Sequence, residues 1–198
     1  MPGPHAAVRE TDTRAAIIDS ARRRFRRDGV GRTKIADVAH EAGMVRQTVY
    51  DFVSSRRQLL GLALASRMME FAAPVKERFL AGDDVADDLV ELLAVMTEVM
   101  SSDPECTALL EAMTPRTALQ FMSAPDSDVH PVVMEVLAPV HARAEQAGLL
   151  RPGVTLHDMA MWSRVALAPL AQREHLPPDE LRTIVRRFVL PAFLHTDD

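Results

Sequence analysis

At 198 residues, with 47% hydrophobic and 26% charged content, the chain has the composition of a folded protein with a sizeable core, not of a disordered or fibrous one. A single cysteine excludes an intramolecular disulfide and a thiolate zinc cluster, and no run approaches the ~18 apolar residues of a membrane span. The net charge of −5 is unevenly spread: residues 1–57 hold 12 basic against 7 acidic side chains, while residues 58–198 hold 11 against 21.

A basic leading piece is attracted to phosphates and an acidic body is repelled by them, so the two would orient the protein on a duplex. The opening MPGPHAAVRETD lacks an apolar core of the kind a secretory signal carries. With the lone Cys106 it leads to the expectation of a reducing, cytoplasmic setting and no membrane. Two prolines, a glycine and no periodicity predict that residues 1–12 form a mobile arm, with Arg9 and Arg14 as candidate minor-groove contacts.

The first helix is expected from Thr13 to Asp28, capped by Asp12 or Thr13. Ile17, Ala21 and Phe25 recur every four residues and make one apolar stripe. Gly29 ends it. Arg22, Arg23, Arg24, Arg26 and Arg27 crowd its last turns, where cations complement the helix dipole. Their number also suggests steering toward phosphate.

Thr33 is a good N-cap for a second helix, and Lys34 would sit at its amide-rich start. Ile35, Val38, Ala39 and Ala42 share one face of that helix. Gly43 follows, where a helix end favours positive φ. A second short helix then carries Val45, Val49 and Phe52 inward and Arg46, Gln47, Thr48, Tyr50 and Asp51 outward. Two short helices with a glycine turn between them read as a helix-turn-helix. Arg46 suits guanine and Gln47 suits adenine. Ser55 and Gln58 form a capping pattern that opens a fourth helix from Arg56 toward Leu80, which Pro74 is expected to bend or break.

Phe25, Gly29, Thr33, Ile35, Val38, Ala39, Ala42-Gly43, Thr48, Tyr50 and Leu59-Leu60 resemble the DNA-binding domain of the tetracycline-repressor (TetR) family of transcriptional regulators. The likeness covers roughly residues 13–60, and the stretches around AEQAGLLRPGVTLHDMAMWSRVALAPL and LRTIVRRFVLPAFL resemble the last two long helices of that family. The resemblance implies an all-α protein: a three-helix helix-turn-helix domain over residues 1–57 and a larger helical ligand-binding and dimerisation domain over residues 58–198. It implies a homodimer reading a palindromic operator on double-stranded DNA, and repression released by a small-molecule effector. It places Tyr50 and Arg56 at phosphates, and with Thr33, Lys34, Arg46, Gln47 and Thr48 they form the expected DNA-binding set. The chain departs from the family pattern at Val45, at Asp51 and at Phe52-Val53, where the family often has His-Phe and the apolar replacements keep the packing by small shifts. Val45 stands where Ser or Thr usually caps the recognition helix, at an expected cost of ~1 kcal/mol. Asp51 adds a carboxylate that could accept from cytosine or be repelled by phosphate.

Beyond Gly82 every pattern is helical: Asp84 to Met100, a short helix near Cys106 to Met113, a turn at Ala124-Pro125-Asp126-Ser127, a longer helix to Gly148, then Leu156 to Leu170 and Pro178 to Leu194. Eleven methionines accompany one Trp and one Tyr. Flexible thioethers suit either ordinary core or a cavity for varied apolar ligands. Met68, Phe71, Met96, Met100, Met113, Met134 and Trp162 are the candidate ligand contacts. His130 and His141 would lie ~16 Å apart along a helix, too far for one metal ion, and His141 faces Glu145 one turn on as an expected ion pair. No phosphate loop, paired metal-binding histidines or nucleophile with a base is legible, so neither catalysis nor a cofactor is expected. Two alternatives remain: a helical enzyme or carrier built on the Met-lined cavity, and a family member with degraded DNA binding that acts through protein partners.

Overall fold

Helix α1 runs from Pro4 to Asp28, earlier than the sequence suggests, in a computed structural model that describes residues 4–124, 126–171 and 176–195. The expected arm is thus helical from residue 4, and residues 1–3 lie outside the described residues, as does Pro125 of the predicted turn. Asp12 and Thr13 fall inside the helix and cap nothing; the Thr13 hydroxyl donates to the Arg9 carbonyl at 2.7 Å. Ile17, Ala21 and Phe25 are buried as their spacing requires.

Helices α2 (Ile35–Glu41) and α3 (Arg46–Phe52) follow. Between them Gly43 takes φ +66°, Met44 N donates to Ala39 O and Gly43 N donates to His40 O. That pair of bonds is a Schellman motif, which closes the end of α2 and turns the chain into α3. Val38, Val49 and Val53 are fully buried beneath the turn.

Helix α4 (Arg56–Arg78) starts with Ser55 accepting from Gln58 N at 3.1 Å, while the Gln58 side chain accepts from Ser54 N. Pro74 lies within α4 on its exposed side, and the helix continues to Arg78 unbroken. A proline that faces solvent leaves its lost carbonyl partner to water. Then come α5 (Val85–Ser102), α6 (Pro104–Glu111), α7 (Pro115–Ser123), α8 (His130–Gln146), α9 (Leu156–Ala171) and α10 (Pro178–Ile184). A π-helical turn (Val185–Val189) and a 3-10 turn (Leu190–Ala192) extend α10. Helix α7 has no counterpart among the expected elements. Its cause is local: Thr114 accepts from Thr117 N and Pro115 presets the first turn.

No strand forms among the described residues beyond an isolated bridge between Leu150 and Leu194. One continuous apolar core links the buried faces of α1 through the C-terminal turns. The division expected at residues 57 and 58 falls inside the first turn of α4. Helix α4 packs on α1, α6 and α8, so it joins the leading helices to the rest of the molecule.

The α1 arginines are largely committed to acidic partners. Arg22 is buried and binds Glu105 of α6 through Nε at 2.6 Å, with a second ion pair to Glu70 of α4. Arg26 also reaches Glu105, Arg24 pairs with Asp28, and Arg23 and Arg27 bind Glu41. Arg14 pairs with Asp128 at 3.5 Å. These pairings correct the reading of the arginine cluster as a phosphate-steering patch: most of its charge ties α1 to α2, α4 and α6.

Candidate nucleic-acid interface and ligand cavity

Helix α3 turns Val49 into the core and leaves Arg46, Gln47, Tyr50 and Asp51 on an exposed face, with Thr48 half-buried at its edge. Tyr50 is 50% exposed. Arg46 has no ion-pair partner among the described residues. Gln47 donates from Nε2 to Asp51 Oδ1 at 2.9 Å, one turn along. Asp51 therefore orients the Gln47 amide, leaving its carbonyl and second N–H free for an adenine edge. Val45 occupies the N-cap with no side-chain bond and is 69% exposed.

Two expected contacts need correction. Thr33 is buried and is not the N-cap of α2; its hydroxyl donates to Gly29 O at 3.0 Å and holds the end of α1. The N-cap is Lys34, whose backbone N–H donates to Asp37 Oδ2 at 2.8 Å and whose ammonium stays exposed. Arg56 is half-buried and donates from Nη2 to Val30 O, bracing the loop before α2. Its neighbour Arg57 is the exposed cation at the start of α4, a position that sequence reasoning passed over.

The second site is a cavity of about 70 Å³ between α4, α5, α7, α8 and α9. Met68, Met96 and Met100 line it, together with Met122, Leu92, Leu137 and Leu167. Met113 instead lines a wider recess of about 590 Å³ that shares Thr97, Met100 and Ala171 with the first. Phe71, Met134 and Trp162 line neither. Phe71 is half-buried beside the Arg67 guanidinium, 6.0 Å from ring centre, and Trp162 is 45% exposed on the outer side of α9.

Arg164 and Ser163 also line the cavity wall. Arg164 is 4% exposed; Nη1 donates to the Met122 and Ala124 carbonyls at 2.9 and 3.1 Å, and Nε to Ala160 O at 3.2 Å. Its Nη2 lies 2.8 Å from His130 Nδ1, and His130 Nε2 lies 2.9 Å from His157 Nδ1. A guanidinium can only donate, so His130 Nδ1 accepts and its proton sits on Nε2, directed to His157. Burial, with Arg164 and then His157 adding to it, pushes the His130 pKa down and keeps the ring neutral. The expected His141–Glu145 pair is not formed; His141 Nε2 is buried without a partner. No group of His, Cys, Asp or Glu among the described residues could hold a metal. Cys106 is buried, which pushes its thiol pKa up and makes it inert. No helix of the described residues is long and apolar enough to cross a membrane.

The Schellman turn, the exposed polar face of α3 and the helical body behind them define a helix-turn-helix domain carried on an all-helical body. Residues 17–63 match the family described as bacterial regulatory proteins, tetR family. The HTH-type transcriptional regulator TtgR of Pseudomonas putida is 40% identical over 55 residues, 28% of this chain and 26% of TtgR. The probable HTH-type transcriptional regulator ArpR of Pseudomonas putida matches to the same extent. Each match thus spans about a quarter of the curated relative's length. Across the whole chain the fold is similar to that of the R. erythropolis transcriptional repressor QsdR, at TM-score 0.68 and 19% identity over 94% of this chain and 97% of that one. It is also similar to RolR in complex with resorcinol, at TM-score 0.64 and 19% identity over 94% and 90% of the two chains. Thermus thermophilus FadR in complex with lauroyl-CoA matches at TM-score 0.60 and 19% identity over 93% and 97%. Residues 17–63 therefore form a helix-turn-helix domain of the tetR family of bacterial regulatory proteins, and the whole chain shares the fold of these solved structures.

Proposed function

We propose that the protein is a sequence-specific DNA-binding repressor that works as a homodimer and leaves its operator when a small molecule enters the cavity. The observation that carries this reading is the outward face of α3, where Arg46, Gln47 and Tyr50 stand exposed on a buried Val49 anchor. Arg46 reads guanine and the Asp51-oriented Gln47 reads adenine, while Tyr50, Lys34 and Arg57 hold phosphates. Thr48 borders the same surface. Trp162 and Phe188, at 45% and 69% exposed, supply aromatic anchors for a second copy. A two-fold pair would set two α3 helices ~34 Å apart, one turn of DNA.

In this mechanism ligand favours a conformation in which α4 carries the two recognition helices off that spacing. It shifts the balance only by its difference in affinity between the two states. The relatives support an effector of this kind, since RolR and FadR are seen with resorcinol and lauroyl-CoA bound. Catalysis has no candidate constellation among the described residues.

The test is a gel shift on DNA flanking the protein's own gene, repeated at several salt concentrations. Arg46→Ala and Tyr50→Ala are each expected to weaken binding by about tenfold or more, and Arg57→Ala, which removes a cationic phosphate contact, to flatten the salt slope. Unchanged affinity in both variants would remove the DNA-reading role. One observation favours a second reading, action through a protein partner: exposed Val45 gives α3 an uncapped apolar start.

A further inference from the structure

Besides Thr97, whose hydroxyl is satisfied by Leu93 O, the cavity wall is polar only at two adjacent residues of α9, and both of these are electrostatically incomplete. Ser163 is 2% exposed, and its hydroxyl has no hydrogen-bond partner. A buried unpaired hydroxyl costs ~1–3 kcal/mol and is rare in a settled core. Arg164, next to it, keeps a full positive charge at 4% exposure. Its partners are three neutral carbonyls and a neutral imidazole, and no carboxylate pairs with it among the described residues. Asp128, two residues before His130, is turned to Arg14 instead. Burial alone pushes the Arg164 pKa down, in contrast to the arginines that have acidic partners. An isolated buried charge is among the most expensive arrangements a protein can hold, and an opposite charge delivered to it repays the desolvation.

Four of the five guanidinium N–H groups are taken by the bonds just named, which leaves one donor on Nη2, in a residue that lines the same cavity as Ser163. Methionines 68, 96, 100 and 122 surround the remaining wall and adapt to an apolar body of varied shape. On the reading of this cavity as the effector site, we propose that its ligand is a small organic acid anion, a carboxylate on an apolar chain or ring. The carboxylate pairs with Arg164 and accepts from Ser163 Oγ, and the apolar body lies among Met68, Met96 and Met100 toward the wider recess.

The anion also competes for Arg164 with the Met122 and Ala124 carbonyls at the end of α7. One residue before, the Phe121 ring lies so close over Gly61 of α4 that a Cβ there would clash with its Cε2 and Cζ. Loosening of α7 therefore acts directly on the first turns of α4, which carry the helix-turn-helix.

The test is calorimetric titration of the full chain with three probes of one length: hexanoate, 1-hexanol and hexylamine. Hexanoate is expected to bind about tenfold or more tighter than hexanol, the scale of one charge-assisted bond, and hexylamine weakest. Arg164→Met should erase the preference of hexanoate over hexanol, and Ser163→Ala, which removes only an unpartnered hydroxyl, should reduce it in a protein of unchanged fold. Equal binding of hexanoate and hexanol, binding of neither, or a preference that survives both substitutions overturns the anion proposal. Leu137→Trp fills the cavity and isolates the underlying reading. If hexanol binds and the filled variant does not, the cavity stands as a site without the anion; if hexanoate still binds the filled variant, the cavity itself is not the site.

Discussion

Two arginines are buried among the described residues, and they are held in opposite ways. Arg22 of α1 is met by Glu105 and Glu70, its charge balanced where α1, α4 and α6 come together. Arg164 of α9, equally deep, is met only by carbonyls and a histidine. The Glu105 hydrogen bond leads the effects that push the Arg22 pKa up, whereas burial pushes that of Arg164 down. Proteins that bury a charge pair it when the purpose is to hold elements together. A buried charge left without its counter-ion beside a cavity is a site awaiting one. The first region ties α1 to α4 and α6; on the proposal above, the second is where a ligand's charge is taken up.

The sharpest way to break this contrast is to remove each charge. Arg22→Met leaves the Glu105 carboxylate, only 13% exposed, without its main partner, and an expected loss of ~3 kcal/mol should appear in urea unfolding. Arg164→Met removes an uncompensated charge along with its hydrogen bonds, so the two effects offset and the loss should be about 1 kcal/mol or less. Equal losses in the two variants would show that Arg164 is as structural as Arg22.

Acid separates the regions next. Asp103 caps α6 through Cys106 N and binds Arg67, whose hydrogen bonds hold its pKa down at about 2. A depressed carboxylate stabilises fully above its unfolded value of 3.8, and the contribution disappears as pH falls through about 2. For a side chain only 10% exposed the amount is about 2 kcal/mol. Melting temperatures followed from pH 5 to pH 2 should fall more steeply in the parent than in Asp103→Asn, which keeps the shape and loses the charge. Parallel curves would take Asp103 out of the junction.

These two regions also mark what a sequence can and cannot disclose. Helix order, the Gly43 turn and the outward set on α3 follow from local rules, because spacing and capping act over four or five residues. Met68, Met96 and Met100 follow from their thioethers and the helices that bear them. Helix α7 is open to the same reasoning through Thr114 and Pro115, but its nine residues are too few for a helical period to stand out. Partners remote in the chain are different in kind. Nothing near Arg22 points to Glu105, 83 residues on, nor near Arg164 to His130, 34 residues back. An inward arginine and an outward one carry the same letter, which is why the α1 cluster reads as a phosphate patch and why Arg56 and Arg57 exchange places. Trp162 looks like a cavity aromatic for the same reason, since its spacing fits either side of α9.

The smallest expected effect lies on the unpaired side, at His130. Its pKa is lowered below 6.5 by burial, and the same direction comes from Arg164 and His157, the two charged or titratable groups bonded to its ring. Near pH 6 the unfolded chain therefore binds more protons at this position than the folded one, so stability is full above pH 6.5 and declines as pH drops through that value. The slope should be shallower than the one Asp103 produces and should occur at a higher pH. His130→Gln keeps an acceptor for Arg164 and cannot titrate, so its stability between pH 7 and pH 5.5 should stay flat by chemical denaturation while that of the parent declines. The lowered pKa also bears on ligand: a neutral His130 keeps accepting from Arg164, so the guanidinium alone supplies the positive charge beside the cavity. Hexanoate affinity should therefore stay level on mild acidification, to pH 5.5 where the carboxylate is still ionised, in the parent and in His130→Gln alike. A rise in the parent alone would show that the bound anion draws a proton onto His130.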